Sequence, residues 1–190
     1  GIYVATSNNQ ILGNVIAGHG QSVPVGLYAS GVRIQGSPTA PANGNVLKGN
    51  YIGTNAAGDA GLGNTGDGVF INDASNNIIG GNAAADRNVI AGNLEQGVRI
   101  EASMTGTSSS NVVAGNYIGV KPNGLTALAN RTGIHLRNNT TGVLTGTVIG
   151  GITAGHRNVI SGNTAGGMSV SAGAPTFIQG NYIGVDRTGM

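Results

Sequence analysis

The chain has 190 residues, of which 36 are Gly, 23 are Asn and only 8% are charged. Disorder is excluded because it combines low hydrophobicity with high charge, whereas 39% of these residues are hydrophobic. The lack of Cys excludes disulfides, and a net charge of +2 without a basic stripe argues against a nucleic-acid partner. No apolar run approaches the roughly 20 residues of a membrane span.

In chain order, two short motifs alternate. Gly-apolar-x-apolar begins at Gly1, Gly31, Gly68, Gly97, Gly133 and Gly167. Asn-apolar-apolar-x-Gly followed by Asn or His begins at Asn14, Asn45, Asn88, Asn111 and Asn158. The pentapeptide GNYIG recurs from Gly49, Gly115 and Gly180, 66 and 65 residues apart. Apolar β-branched segments between Gly and Asn predict short strands joined by tight turns, without helix.

The 66-residue period divides into two coils, and each coil carries three apolar segments. Such short segments bury their apolar faces only by winding around a triangular section and stacking on the next coil, about 4.8 Å away. The pattern therefore predicts a parallel β-helix. A β-propeller would need longer antiparallel strands, and leucine-rich repeats would show an invariant Leu lattice of shorter period.

The motifs GNYIG, NVISGN and GDGVFI resemble those of the right-handed parallel β-helix repeat family, of the pectin-lyase-like superfold and the Gly/Asn-rich bacterial type. This resemblance implies a single all-β domain over residues 1–190, a right-handed β-helix of about six coils with three strands each. It also implies an extracellular or cell-surface location. Because the first motif is as regular as the internal copies, we expect the chain to be a fragment of a longer repeat protein.

The GNYIG repeats suggest a structural role. We expect Ile52, Ile118 and Ile183 to point inward, and the Gly-Asn pair to form a corner in which Asn adopts a left-handed conformation and hydrogen-bonds to the next coil. The tyrosines that precede these Ile residues would then face outward. They would form an aromatic row for sugar stacking or, alternatively, cover an outer sheet or loop.

The Gly-apolar-x-apolar strands supply the candidate binding site. If the apolar residues face inward, the residue between them and the residue after them face outward in two rows. The candidate ligand-binding residues on these rows are Tyr3, Arg33, Phe70, Arg99, Glu101, His135 and Arg137. Aromatic and guanidinium groups on one flat sheet suit a polysaccharide. Alternatively, Glu101 and Arg137 form a surface ion pair that contributes little.

Catalytic signals are sparse. The resemblance implies that a lyase would have clustered carboxylates that bind calcium, and that a hydrolase would have a pair of carboxylates. The seven acidic residues of this chain are instead scattered along the sequence. The GHG sequence at Gly18 is similar to a polygalacturonase fragment, yet His19 stands where Asn93 and Asn163 stand in other coils. We therefore predict no catalytic residue, metal site or cofactor, and interpret His19 as a substituted turn Asn.

The preferred function at this point is a stiff structural or adhesive stalk or filament segment. The alternative is a polysaccharide-binding module or a polysaccharide-active lyase or hydrolase. A β-helix without a visible cap also exposes strand edges, which predicts end-to-end self-association.

Overall fold

A computed structural model describes residues 1–20, 29–171 and 175–190. Within these residues the chain forms a parallel β-helix, with 3₁₀ turns at Ala84–Asp86 and Ala154–His156. The predicted all-β fold with three strands per coil is confirmed. Neither 3₁₀ turn in this described part has the length or the apolar character that a membrane crossing requires.

The strands, in chain order, are Ile2–Val4 (β1), Gln10–Leu12 (β2), Val15–Ile16 (β3), Val32–Gln35 (β4), Val46–Lys48 (β5), Tyr51–Ile52 (β6), Val69–Asn72 (β7), Ile78–Gly80 (β8), Val89–Ile90 (β9), Gln96–Ala102 (β10), Thr107–Ser109 (β11), Val112–Ala114 (β12), Tyr117–Ile118 (β13), Thr132–Asn138 (β14), Val143–Thr145 (β15), Thr147–Gly150 (β16), Val159–Ile160 (β17), Gly166–Ser171 (β18), Thr176–Gln179 (β19) and Tyr182–Ile183 (β20).

Three six-stranded sheets form the walls of the helix. Sheet 1 has the order β1-β4-β7-β10-β14-β18, sheet 2 the order β2-β5-β8-β12-β16-β19, and sheet 3 the order β3-β6-β9-β13-β17-β20. β11 and β15 form an additional two-stranded sheet. The described helix makes about five turns. Because every coil contributes one strand to each main sheet, equivalent residues stack along the axis.

The core follows from the alternation of apolar and other residues along sheet 1. Val69 pairs with Val98 and Ile71 with Ile100, as predicted, and all four side chains are fully buried. Of the three GNYIG isoleucines predicted to point inward, Ile52 and Ile118 are fully buried, whereas Ile183 on the last strand of sheet 3 is 45% exposed. The fully buried side chains belong to one continuous aliphatic cluster inside the helix, which is the main source of its stability.

Asparagine ladders line the corners between the sheets. In the longest, the backbone N and Nδ2 of each Asn donate to Oδ1 of the next, through Asn14, Asn50, Asn88, Asn116, Asn158 and Asn181. A second ladder contains Asn9, Asn45, Asn77 and Asn111. A third contains Asn64, Asn93, Asn130 and Asn163. Buried amides are thereby satisfied from coil to coil.

Two details of these corners bear on the sequence predictions. The backbone N of His19 donates to Oδ1 of Asn64 at 3.2 Å, so His19 occupies the first position of the third ladder. This agrees with the interpretation of His19 as a substituted turn Asn.

The prediction that Asn adopts the left-handed conformation in GNYIG was wrong. Gly49 and Gly115 have φ values of 64° and 72°, which leaves the Asn that follows free to extend its ladder.

The GNYIG tyrosines cover the outside of sheet 3. Tyr117 is 7% exposed and belongs to an outer apolar cluster with Val89, Val120 and Val159. The guanidinium of Arg87 lies 4.3 Å from the centroid of the Tyr117 ring. The covering role is therefore the correct one of the two predicted roles for Tyr117, and this ring offers no free face for a sugar.

Candidate functional site

The register of sheet 1 places the candidate residues as predicted. Direct pairing aligns the outward residues Tyr3, Arg33, Phe70, Arg99, His135 and Ser169 in one row. The second row contains Gln35, Asn72, Glu101, Arg137 and Ser171. Neighbouring members of each row are separated by the interstrand spacing of about 4.8 Å, so their side chains form a continuous surface.

Phe70 lies between two arginines rather than open to solvent. The guanidinium of Arg33 is 4.9 Å from its ring centroid, and that of Arg99 is 4.6 Å away. As a result the ring is only 8% exposed. The Phe70 ring attracts both guanidinium groups by cation–π interaction. Because the two arginines cover it, little aromatic surface is left for stacking on a sugar.

Arg99 is the centre of a charged network on this face. Its Nη2 forms a close ion pair with Oε2 of Glu101, and its Nη1 lies 3.9 Å from Oδ2 of Asp67. Nδ2 of Asn139 also donates to Glu101, which is buried. The alternative prediction that Glu101 pairs with Arg137 was wrong. The carboxylate instead turns toward the guanidinium two residues earlier on its own strand.

Asp67 is a site residue that the sequence analysis did not identify. It precedes β7, is 5% exposed, and accepts a hydrogen bond from the backbone N of Gln96 at 3.1 Å. Burial raises the pKa of its carboxyl group to about 6, although Arg99 and the Gln96 hydrogen bond oppose this increase. The pKa of Asp67 therefore lies well above that of an ordinary surface carboxylate.

His135 lies beside Arg99 on the next strand of sheet 1. Its pKa is lowered, first by burial and then by the charges of Arg99 and Arg137, while Glu101 acts in the opposite direction. The imidazole is consequently mainly neutral at pH 7, and one ring nitrogen of a neutral imidazole is a hydrogen-bond acceptor. Arg137, two residues further along β14, is exposed and forms no ion pair with the described part of the chain.

These residues surround a cavity of 240 Å³, which we call the main pocket. Its lining residues are Ala29, Ser30, Gly66, Asp67, Phe70, Glu95, Gln96, Arg99, His135 and Arg137. The pocket thus combines a cation that has no ion-pair partner among the described residues, a neutral imidazole and a buried carboxylate. It has hydrogen-bond donors and acceptors within the volume of about one sugar unit.

The seven predicted site residues divide into three groups. Phe70, Arg99, His135 and Arg137 line the main pocket, and Glu101 supports it by holding Arg99. Tyr3 and Arg33 instead line a separate, smaller cavity of 70 Å³ near the first strand. The nearby Glu95 is neutralised by Arg131, with an N–O distance of 3.0 Å.

Metal coordination has little support in this arrangement. Among residues 1–20, 29–171 and 175–190, no three His, Asp or Glu side chains cluster closely enough to hold a metal ion. In particular, Asp67 and Glu101 both point toward the Arg99 guanidinium, which neutralises the charge that a cation would need.

Comparisons with known proteins identify the fold alone. No protein-family model matches the chain, and no curated protein sequence is similar to it. The chain resembles solved structures of the periplasmic alginate epimerase AlgG, with TM-scores of 0.58 for its T265N mutant and 0.59 for its T265N T268M double mutant. Each match has 16% sequence identity and covers 95% of this chain. The chain spans only 34% of the length of those structures.

Proposed function

We propose that this β-helix binds an acidic polysaccharide on the outer face of sheet 1, with a sugar carboxylate held at Arg137 in the main pocket. The observation that carries the proposal is the distribution of ion pairs. Arg99 is neutralised by Glu101 and Asp67, and Glu95 is neutralised by Arg131, so Arg137 is the guanidinium in the pocket lining that remains for a ligand. A guanidinium binds a carboxylate through two parallel hydrogen bonds.

The fold comparison supports the same class of ligand. The solved structures that the chain resembles belong to a polysaccharide-active enzyme, the periplasmic alginate epimerase. Its location outside the cytoplasm is also compatible with the extracellular or cell-surface site proposed for this chain. The sequence identity to these structures is 16%. The comparison therefore suggests which class of ligand and which location to test, and no reaction is transferred from the epimerase to this chain.

The direct test measures the affinity of the chain for polygalacturonate by calorimetry. We expect binding that weakens with added salt, and a loss of about tenfold or more in affinity for Arg137→Gln, because a hydrogen-bonded charge pair is removed. Arg187→Gln is the matched control, since it changes the net charge equally from an exposed position on the last turn. Equal affinities for Arg137→Gln and the wild type would contradict the proposal.

A catalytic role is the second candidate, and the state of His135 favours it. A neutral imidazole beside a guanidinium could remove the proton next to a sugar carboxylate while the cation stabilises the resulting charge. Polygalacturonate incubated in deuterated buffer would then gain deuterium at that carbon, and His135→Gln would abolish the exchange. No exchange with the wild-type chain would leave binding as the function.

A structural or adhesive stalk is the competing proposal. Its specific support is the continuity of the three parallel sheets, which stack the coils along one axis. A second copy stacked on an end coil would continue the sheets. Sedimentation over a concentration series tests this association, and a strictly monomeric species at high concentration would contradict it.

A further inference from the structure

A second cavity lies beyond the C-terminal ends of strands β4, β7 and β10 of sheet 1. Asp67 of the main pocket lies at the other end of β7. We call this second cavity the edge pocket, and its volume is 420 Å³. It lies between the turn after β4 and the turn after β10, and its polar lining includes Ser37, Asn43, Asp73, Ser75, Thr105 and Thr107. None of these residues belonged to the candidate site predicted from the sequence.

The lining of the edge pocket differs chemically from that of the main pocket. Four of its residues carry hydroxyl groups, and none of the described lining residues is Lys, Arg or His. Asp73 adds a negative charge. Such a surface repels a carboxylate and offers donors and acceptors to a neutral ligand that is rich in hydroxyl groups.

Hydrogen bonds orient the side chains of Asn43 and Asp73 in the edge pocket. Oδ1 of Asn43 accepts from the backbone N of Ser75 at 2.7 Å, while its Nδ2 forms no hydrogen bond within the described residues. Asp73 accepts from the backbone N of Ser103 at 2.7 Å and from Nδ2 of Asn72 at 3.0 Å. Each carboxylate oxygen retains a further lone pair, so both residues can still bind ligand hydroxyls.

The strands of sheet 1 connect the two pockets. Asp67, in the main pocket, and Asp73, in the edge pocket, lie at opposite ends of β7. Six residues span at most about 20 Å, which is the length of several linked sugar units. The paired residues Asn72 and Glu101 lie beneath this path, and both side chains are buried.

We propose that the edge pocket is a second carbohydrate subsite that takes a neutral, hydroxyl-rich sugar unit. The ligand would then be a mainly neutral polysaccharide with scattered acidic units, rather than a polymer in which every unit is acidic. This inference rests on the proposed function, because it assigns the acidic unit to the main pocket.

The test compares three polymers as probes: glucuronoxylan, which is mainly neutral with scattered glucuronates, unsubstituted xylan, and polygalacturonate. We expect glucuronoxylan to bind at least about tenfold more tightly than the other two, because it alone fills both pockets. Asn43→Asp keeps the acceptor for Ser75 but replaces the amide donor with a second carboxylate in the pocket that holds Asp73. Thr107→Val removes a hydroxyl from an exposed strand position with little change of shape.

Each of these two variants should weaken glucuronoxylan binding about fivefold and leave polygalacturonate binding unchanged. Arg137→Gln should weaken binding of both acidic polymers. Thermal unfolding of each variant establishes that it is folded.

The outcomes separate the two proposals. If Arg137→Gln weakens binding but Asn43→Asp and Thr107→Val do not, the edge pocket is not a subsite and the proposed function stands. Polygalacturonate binding as tight as glucuronoxylan binding would also overturn the inference. If Arg137→Gln has no effect while the edge-pocket variants weaken binding of xylan and glucuronoxylan equally, the acidic-ligand function fails.

Discussion

Replacing Asp67 by Asn provides a sensitive test of the electrostatics of the main pocket. The two side chains have nearly the same shape, and the Asn oxygen can still accept from the backbone N of Gln96. The substitution therefore removes the titration of a buried group together with its attraction to the Arg99 guanidinium, 3.9 Å away. Its effect on stability should depend strongly on pH.

The magnitude follows from the two pKa values. Folding raises the pKa of Asp67 from 3.8 to about 6, so the folded state binds the proton more tightly than the unfolded state. The wild-type chain therefore keeps its full stability below pH 4 and loses stability as the pH rises through 6. Two pKa units correspond to about 3 kcal/mol, which already includes the attraction of Arg99. Asp67→Asn should match the wild type near pH 4 and exceed its free energy of unfolding by about that amount at pH 8.

Urea unfolding at a series of pH values measures this difference. Asp59→Asn is the matched control, because Asp59 is an exposed carboxylate on a surface loop. The control should show no comparable increase in stability at pH 8. If Asp67→Asn is less stable than the wild type at pH 8, or if the difference does not change with pH, the contacts with Arg99 and Gln96 outweigh burial and the reasoning is refuted.

Three further substitutions test the fold, two by denaturant unfolding and one by circular dichroism. Asn88→Ala should destabilise the chain by about 3 kcal/mol, because the buried amide groups of Asn50 lose their acceptor; a loss below about 1 kcal/mol would contradict the ladder. Thr147 pairs with Thr176 after the last Asn of the second ladder, and its buried Oγ1 has no hydrogen-bond partner among the described residues. Thr147→Asn should extend that ladder and stabilise by about 1 kcal/mol, and lower stability would show that the amide does not fit. Ile100→Asp should prevent folding, because it buries an unpaired charge; a folded variant by circular dichroism would contradict the inward stack.

The sequence predicted those features that repeat from coil to coil. Val98 and Ile100 alternate with Arg99 and Glu101, so a period of two residues was enough to assign inward and outward faces. The repeated Gly before each strand set the register, which aligned Arg99 with Phe70 and His135. The Asn ladders could be expected for the same reason, since Asn recurs at the corner of nearly every coil.

The sequence did not predict features that depend on a single coil. Asp67 was missed because the equivalent residue in the next coil is Gln96, and its burial depends on packing between neighbouring turns. Asp67 also has the parity of the inward-facing Val69 and Ile71, so it does not fall on either outward row. The pairing of Arg99 with Glu101 was missed because the choice between partners depends on side-chain conformation, which a strand pattern does not specify.

A nuclear magnetic resonance titration with trigalacturonate tests most directly whether the main pocket binds an acidic sugar. The proposal predicts that the backbone amide signals of residues 96–99 and 134–137, which adjoin the pocket, shift first and saturate together. Signals from sheets 2 and 3 should remain unchanged, and Arg137→Gln should reduce the shifts. Saturable shifts confined to sheets 2 or 3, or no shifts at millimolar oligosaccharide, would contradict the assignment of this pocket.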